Sequence, residues 1–211
     1  MLIVSEIFHS IQGEGPNAGY PCVFLRTAGC NLRCTWCDTP YALEFRQGKK
    51  MQVDEIIETI ESFGTNHLVI TGGEPMIQQK ALQEMLEKLK NYYVEIETNG
   101  GFESSIDSYV HQYNCSPKLS GSGNKSYELK LLPNEKTWYK FVIGNEKDMK
   151  ETLEFIEKYK LPKKRIRLMP EGETEAKSKK NSLWLIEACK KYGFIFNPRI
   201  HILLYGTKRG V

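Results

Sequence analysis

The segment Cys22-Val23-Phe24-Leu25-Arg26-Thr27-Ala28-Gly29-Cys30-Asn31-Leu32-Arg33-Cys34-Thr35-Trp36-Cys37 governs how the rest of the chain is read. Its first half is strand-like over Cys22–Thr27, and its second half is a tight loop bearing thiols at CxxxCxxC spacing. Further apolar runs predict strands at Ile3–Ile11, Leu68–Thr71, Val94–Glu97, Tyr139–Ile143, Arg165–Met169 and Ile200–Leu204. Between them lie stripes at helical spacing: Ile56, Ile57 and Ile60 ended by Gly64, then Leu82, Met85, Leu86 and Leu89. Met149, Leu153 and Ile156 make another, as do Leu183, Ile186 and Cys189 ended by Gly193. Such stripes are normally buried faces, and strands alternating with helices predict βα units on a mostly parallel sheet. Two stretches read as irregular: the loop Ser120–Ser126 and the charged, helix-poor run Glu171–Asn181.

The chain has 211 residues, 40% hydrophobic and 26% charged, which excludes disordered, collagen-like and coiled-coil classes and fits a single domain over 1–211. A net charge of +3 says little about partners. The basic runs Lys163-Lys164-Arg165 and Lys177–Lys180 lack interleaved aromatics for base stacking, so no nucleic-acid partner is expected. No apolar run approaches the roughly 18 residues of a membrane span. The start, Met1-Leu2-Ile3-Val4-Ser5-Glu6, shows no signal-peptide pattern, so the expected location is cytoplasmic.

In a reducing compartment the six cysteines are not expected to form a disulfide framework. Thiolates at 30, 34 and 37 can hold three irons of a cubane cluster and leave the fourth iron open. The same loop could instead hold zinc, with Cys22, Cys115 or a histidine as fourth ligand. Structural zinc usually takes two separated ligand pairs, and this chain has one triple without a matching pair. Cys22, Cys115 and Cys189 sit in apolar surroundings and read as small core residues, and His9, His67 and His111 read as structural or surface residues. A second signal, Thr71-Gly72-Gly73-Glu74-Pro75, follows the strand His67–Ile70, where paired glycines let the backbone approach a ligand closely.

The thiol loop together with Gly-Gly-Glu-Pro resembles the radical S-adenosylmethionine (SAM) superfamily. The resemblance implies a partial, TIM-like βα barrel, a [4Fe-4S] cluster held by Cys30, Cys34 and Cys37, and SAM bound at the open iron. The ordered set Gln12-Gly13-Glu14-Gly15-Pro16, Phe24-Leu25-Arg26, Trp36-Cys37-Asp38-Thr39, Glu97-Thr98-Asn99-Gly100, Ser116-Pro117-Lys118, Arg199-Ile200-His201 and Lys208-Arg209-Gly210-Val211 is similar to the 7-carboxy-7-deazaguanine synthase family. That family implies radical ring contraction of 6-carboxy-5,6,7,8-tetrahydropterin to 7-carboxy-7-deazaguanine with loss of ammonia, in 7-deazapurine (queuosine) biosynthesis. It also implies a homodimer and an external electron donor such as a flavodoxin or ferredoxin.

Carried over residue by residue, substrate binding falls to Ile11, Gln12, Gly13, Glu14, Arg26, Thr98, His201 and Val211, and Mg²⁺ binding to Thr39. Arg26 suits a carboxylate clamp, Gln12 and the nearby backbone suit the polar edges of a pterin, and a threonine hydroxyl suits a hard cation. Glu14 could assist proton movement. Cofactor contacts fall to Trp36, Cys37, Asp38, Gly73, Glu74, Gly100, Ser116, Pro117 and Lys118, and to Met169, Pro170, Glu171 and Gly172. In that last segment the chain has Met169 where many relatives carry Gln, so only its backbone contacts carry over. A glycyl-radical activase would share the cluster and Gly-Gly-Glu-Pro without needing Gln12, Arg26 and Thr39. A zinc-stabilised binding module is the third alternative.

Overall fold

The computed structural model describes residues 1–124, 127–131, 133–172, 174–206 and 208–211. Lys125 and Ser126 of the glycine-serine loop and Glu173 of the charged stretch lie outside the described residues. The chain opens with β1 (Leu2–Ile11), β2 (Pro21–Thr27), β3 (Lys49–Met51) and α1 (Val53–Glu61). It continues through β4 (His67–Gly72), α2 (Gln79–Leu86), β5 (Tyr93–Thr98), β6 (Gln112–Cys115) and β7 (Thr137–Ile143). It ends with α3 (Glu146–Lys158), β8 (Ile166–Pro170), α4 (Glu175–Tyr192), β9 (Ile195–Phe196) and α5 (Ile200–Tyr205).

The strands form a single nine-stranded sheet in the order β3-β1-β2-β4-β5-β6-β7-β8-β9. It is antiparallel from β3 through β2 and parallel from β2 to β9, and its two ends do not meet. This is a partial barrel with helices on its convex face. Ile56 and Ile60 of α1 and Leu82, Met85 and Leu86 of α2 join Leu68, Ile70, Val94 and Ile96 in one core, as a parallel sheet covered by helices requires. α3 starts at Asn145, whose side chain accepts from the Asp148 N–H, and α4 starts at Thr174, which accepts from Lys177 N–H. Among the described residues, no helix is long and apolar enough to cross a membrane.

Side chains alternate across a strand, so where Val94 and Ile96 face the helices, Glu95 and Glu97 face the concave side. In the β5–β6 register Glu95 pairs with Gln112 and Glu97 with Asn114. Asn114 Nδ2 donates to Glu95 at 2.7 Å and to Glu97 at 2.9 Å, and Gln112 Nε2 donates to Glu95 at 3.1 Å. The inside of the barrel is therefore polar, which is why the short strand β6 carries no apolar signature in the sequence.

Three expectations are corrected. Ile200–Leu204 is not a strand but lies within α5, where only Ile202 is buried and Leu203 and Leu204 are exposed. A short apolar run does not distinguish strand from helix, and here β9 already occupies the sheet edge beside β8. Glu171–Asn181 is not helix-poor: α4 begins at Glu175 behind the Thr174 cap, with its lysines on the solvent side. The α4 stripe also faces elsewhere, since Leu183 is 68% exposed and the buried residues are Ser178, Leu185 and Cys189.

Candidate active site

The C-terminal ends of the parallel strands surround a cavity of about 500 Å³. Such strand ends are where βα folds gather their working loops. The thiol loop leaves β2 and is fastened at its root, where the Gly29 N–H donates to Ala42 O at 2.8 Å and Cys30 N–H to Leu43 O at 3.0 Å. From the next strand, Gly73 N–H reaches Thr27 O at 3.2 Å and Glu74 N–H reaches Gly29 O at 2.8 Å. Gly73 must be glycine here, because a Cβ would lie 2.7 Å from the Ala42 carbonyl oxygen and closer still to that of Gly29. Gly73→Ala is expected to push the thiol loop off its support. Iron bound per chain after reconstitution should fall although no thiol is touched, and an unchanged iron content would refute this.

Cys30, Cys34 and Cys37 all line the cavity, partly exposed. Leu32 N–H and Asn124 Nδ2 donate to the sulfurs of Cys30 and Cys34 at 3.4 and 3.3 Å. Burial pushes the Cys30 thiol up to about 11 and raises Cys37 as well, so metal loading releases protons. Among the described residues, no three His, Cys, Asp or Glu side chains are gathered around a single-ion point. Cys22 and Cys115 are buried, with the Cys115 sulfur against Gly100, and neither lines the cavity. Three thiols that line one open cavity without converging on a single point suit the separate irons of a cubane with one iron open, rather than one zinc ion.

The other wall is built from the chain ends. Ile11, Gln12, Gly13, Glu14, Arg26 and Thr98 line the same cavity. So do Thr39, His201 and Val211. The C-terminal segment is drawn in by Ile200 N–H donating to Gly13 O at 3.0 Å and by Arg209 stacked on the Tyr41 ring, 3.5 Å from its centroid. Arg26 is held by Glu6, Nε to Oε1 at 2.7 Å, and Tyr41 donates to the same oxygen at 2.9 Å. The Thr39 hydroxyl makes no cap to the turn that follows, and donates instead to Asp38 Oδ1 at 2.9 Å.

A model of the radical SAM superfamily matches residues 24–177. The 7-carboxy-7-deazaguanine synthase of Pyrobaculum aerophilum is 39% identical over 98% of this chain and 96% of its own length. That of Aquifex aeolicus is 36% identical over 95% and 92%. The crystal structure of QueE from Escherichia coli superposes with a TM-score of 0.73 at 26% identity, covering 95% of this chain and 94% of that one.

The chain belongs to the 7-carboxy-7-deazaguanine synthase family of radical SAM proteins. Membership implies a [4Fe-4S] cluster and SAM as cofactors, and the thiols of Cys30, Cys34 and Cys37 lie together along one cavity. Of the SAM-side residues carried over from this family, Trp36, Asp38, Gly73, Ser116, Lys118, Met169, Glu171 and Gly172 line the cavity. Lys118 lies over the Trp36 ring, 5.4 Å from its centroid, and donates to Ser116 Oγ at 2.7 Å.

Glu74, Gly100, Pro117 and Pro170 do not line it. The Glu74 side chain is turned into the fold, where it accepts from Met76 N–H at 3.0 Å, Thr98 Oγ1 at 2.7 Å and Asn99 N–H at 2.6 Å. It therefore ties β4 to the end of β5 and offers its neighbours backbone only. Pro117 instead lines a smaller, adjoining cavity that also touches Trp36. Thr98 gives its only hydroxyl proton to Glu74, and Gln12 Nε2 is engaged by Glu95 at 3.1 Å and Glu97 at 3.2 Å. Gln12 thus has no free side-chain donor for a ring edge.

Glu14 also departs from its expected part. Burial alone would raise its pKa, but Lys140, Arg199 and His201 outweigh burial and hold it well below the usual carboxylate range. It is a fixed negative charge and a poor proton carrier. Lys140 belongs to none of the sequence motifs, and Arg199 stands among them only as part of the terminal Arg199-Ile200-His201 motif, with no role attached. Lys140 is fully buried, with Nζ 2.7 Å from Glu14 Oε2 and 2.6 Å from Glu97 Oε2. The available signal was a lysine inside the apolar run Tyr139–Ile143, a position that demands an opposite charge from elsewhere in the fold.

Proposed function

We propose that this chain is a 7-carboxy-7-deazaguanine synthase. It takes 6-carboxy-5,6,7,8-tetrahydropterin and yields 7-carboxy-7-deazaguanine and ammonia, supplying 7-deazapurine biosynthesis. The observation that carries this reading is a single cavity shared by three thiols, one oriented arginine and the chain's last residues. When bound, the cluster and SAM supply the one-electron cleavage that generates the hydrogen-abstracting carbon radical. The protein's own residues bind and orient. Arg26, its Nε taken by Glu6, presents its remaining guanidinium edge to the substrate carboxylate. Lys140 and Glu14 fix the charge of the inner wall, and Arg199, His201, Arg209 and Val211 line the cavity from the C-terminal side. Thr39 would hold Mg²⁺ through its hydroxyl lone pairs, since its proton is engaged by Asp38. An external one-electron donor of the flavodoxin or ferredoxin kind and a homodimeric assembly complete the proposal.

The test is anaerobic turnover of the carboxytetrahydropterin by reconstituted protein with SAM, reductant and Mg²⁺, and with no protein substrate. Product and ammonia are expected in equal amounts, and a requirement for a partner protein as substrate would overturn the reading. Arg26→Ala removes charge-assisted hydrogen bonds contributing about 1.5–3 kcal/mol each, so pterin affinity should fall by roughly one to two decades. Normal pterin binding by that variant would refute the proposed orientation.

A further inference from the structure

Arg199 is buried, and its guanidinium joins segments far apart in sequence. Nε donates to Glu14 Oε1 at 3.2 Å, Nη1 to the Gly172 carbonyl at 2.8 Å, and Nη2 to Asp38 Oδ2. The other oxygen of Asp38 accepts the Thr39 hydroxyl at 2.9 Å. Asp38 is half exposed, at 49% of its side chain, so nothing about its burial fixes its rotamer. The guanidinium does. With Asp38 fixed, the single proton of Thr39 Oγ1 is drawn to Asp38 Oδ1, and both lone pairs are left for the cavity. Metal ligands are commonly oriented in this way by partners one bond further out.

We infer that Arg199 is a positioning residue for Thr39, acting through Asp38 to aim the hydroxyl oxygen at a divalent cation. This rests on the proposed role of Thr39 as a cation ligand. Arg199 touches Glu14 and Gly172 as well, so a merely structural role would disturb iron content and pterin affinity together. A positioning role moves the cation constant first.

The test uses Mn²⁺ as the probe, bound to cluster-loaded, unreduced enzyme with SAM and the carboxytetrahydropterin present, and read from the EPR signal of free Mn²⁺. Arg199→Gln is expected to weaken Mn²⁺ binding by about 10–100-fold with iron content unchanged. Asp38→Asn should do the same, and the double variant should be no weaker than either single one, because both cut one chain of contacts. Arg199→Lys, which keeps a cation beside Asp38, should recover part of the affinity. A wild type that binds no Mn²⁺ in this complex overturns the cation reading and this inference with it. A wild type that binds while Arg199→Gln binds as tightly, or additive losses in the double variant, overturns this inference alone. Should Arg199→Gln not hold its cluster, Asp38→Asn decides the matter on the same readings, since it leaves the Glu14 and Gly172 contacts in place.

Discussion

Replacing Cys30, Cys34 or Cys37 by alanine is expected to leave a colourless protein without bound iron and without turnover. Each removes one thiolate from a site that has three, all on the loop after β2. A cubane already open at one iron does not hold with two protein ligands. Cys22→Ala, Cys115→Ala and Cys189→Ala should keep colour, iron and activity, because these residues are buried away from the cavity. Their cost is the small void left in a packed core, seen as a lower urea midpoint. Visible absorption with iron and sulfide analysis on anaerobically purified protein checks all six. Loss of the cluster in Cys22→Ala would mean a four-thiolate site and would remove the open iron on which SAM binding depends.

Lys140→Met should produce a large loss of stability. The Nζ lies between the carboxylates of Glu14 and Glu97, and its side chain is 2% exposed. Breaking a buried ion pair by removing one partner costs about 3–5 kcal/mol, because the remaining charge has neither water nor counter-ion. Here two carboxylates are left, though Arg199 still neutralises part of Glu14. The penalty has a pH signature. In the wild type the folded pKa of Glu14 is depressed, so its contribution is present above the ordinary carboxylate pKa and is lost as pH falls through the folded value. Burial already raises Glu97, with Lys140 as the main force opposing that rise. Without Lys140 both groups take up protons more readily, so the gap between wild type and variant should narrow as pH falls from 7 toward 5. Urea denaturation at the two pH values checks this, and a gap independent of pH would show that lost packing, not unpaired charge, dominates. Adding Glu97→Gln to Lys140→Met should restore part of the stability.

The sequence by itself determined the three-thiol loop, the glycine turn beside it and the alternation of strands and helices. Each is a local matter: thiols within one loop, a turn at one strand end, and apolar periodicity along one element. It misjudged the residues from 200 to 204 and overlooked β6, because short segments take their conformation from what they pack against. Gln112 and Asn114 make a strand only beside Glu95 and Glu97. Tertiary structure alone decided which charges meet. Lys140 lies 126 residues from Glu14, and Arg199 lies 161 residues from Asp38 and 185 from Glu14. No spacing rule reaches across such separations. The sheet register and the return of the C-terminal segment over the strand ends bring these groups together, and the cost of leaving a buried charge unpaired holds them there.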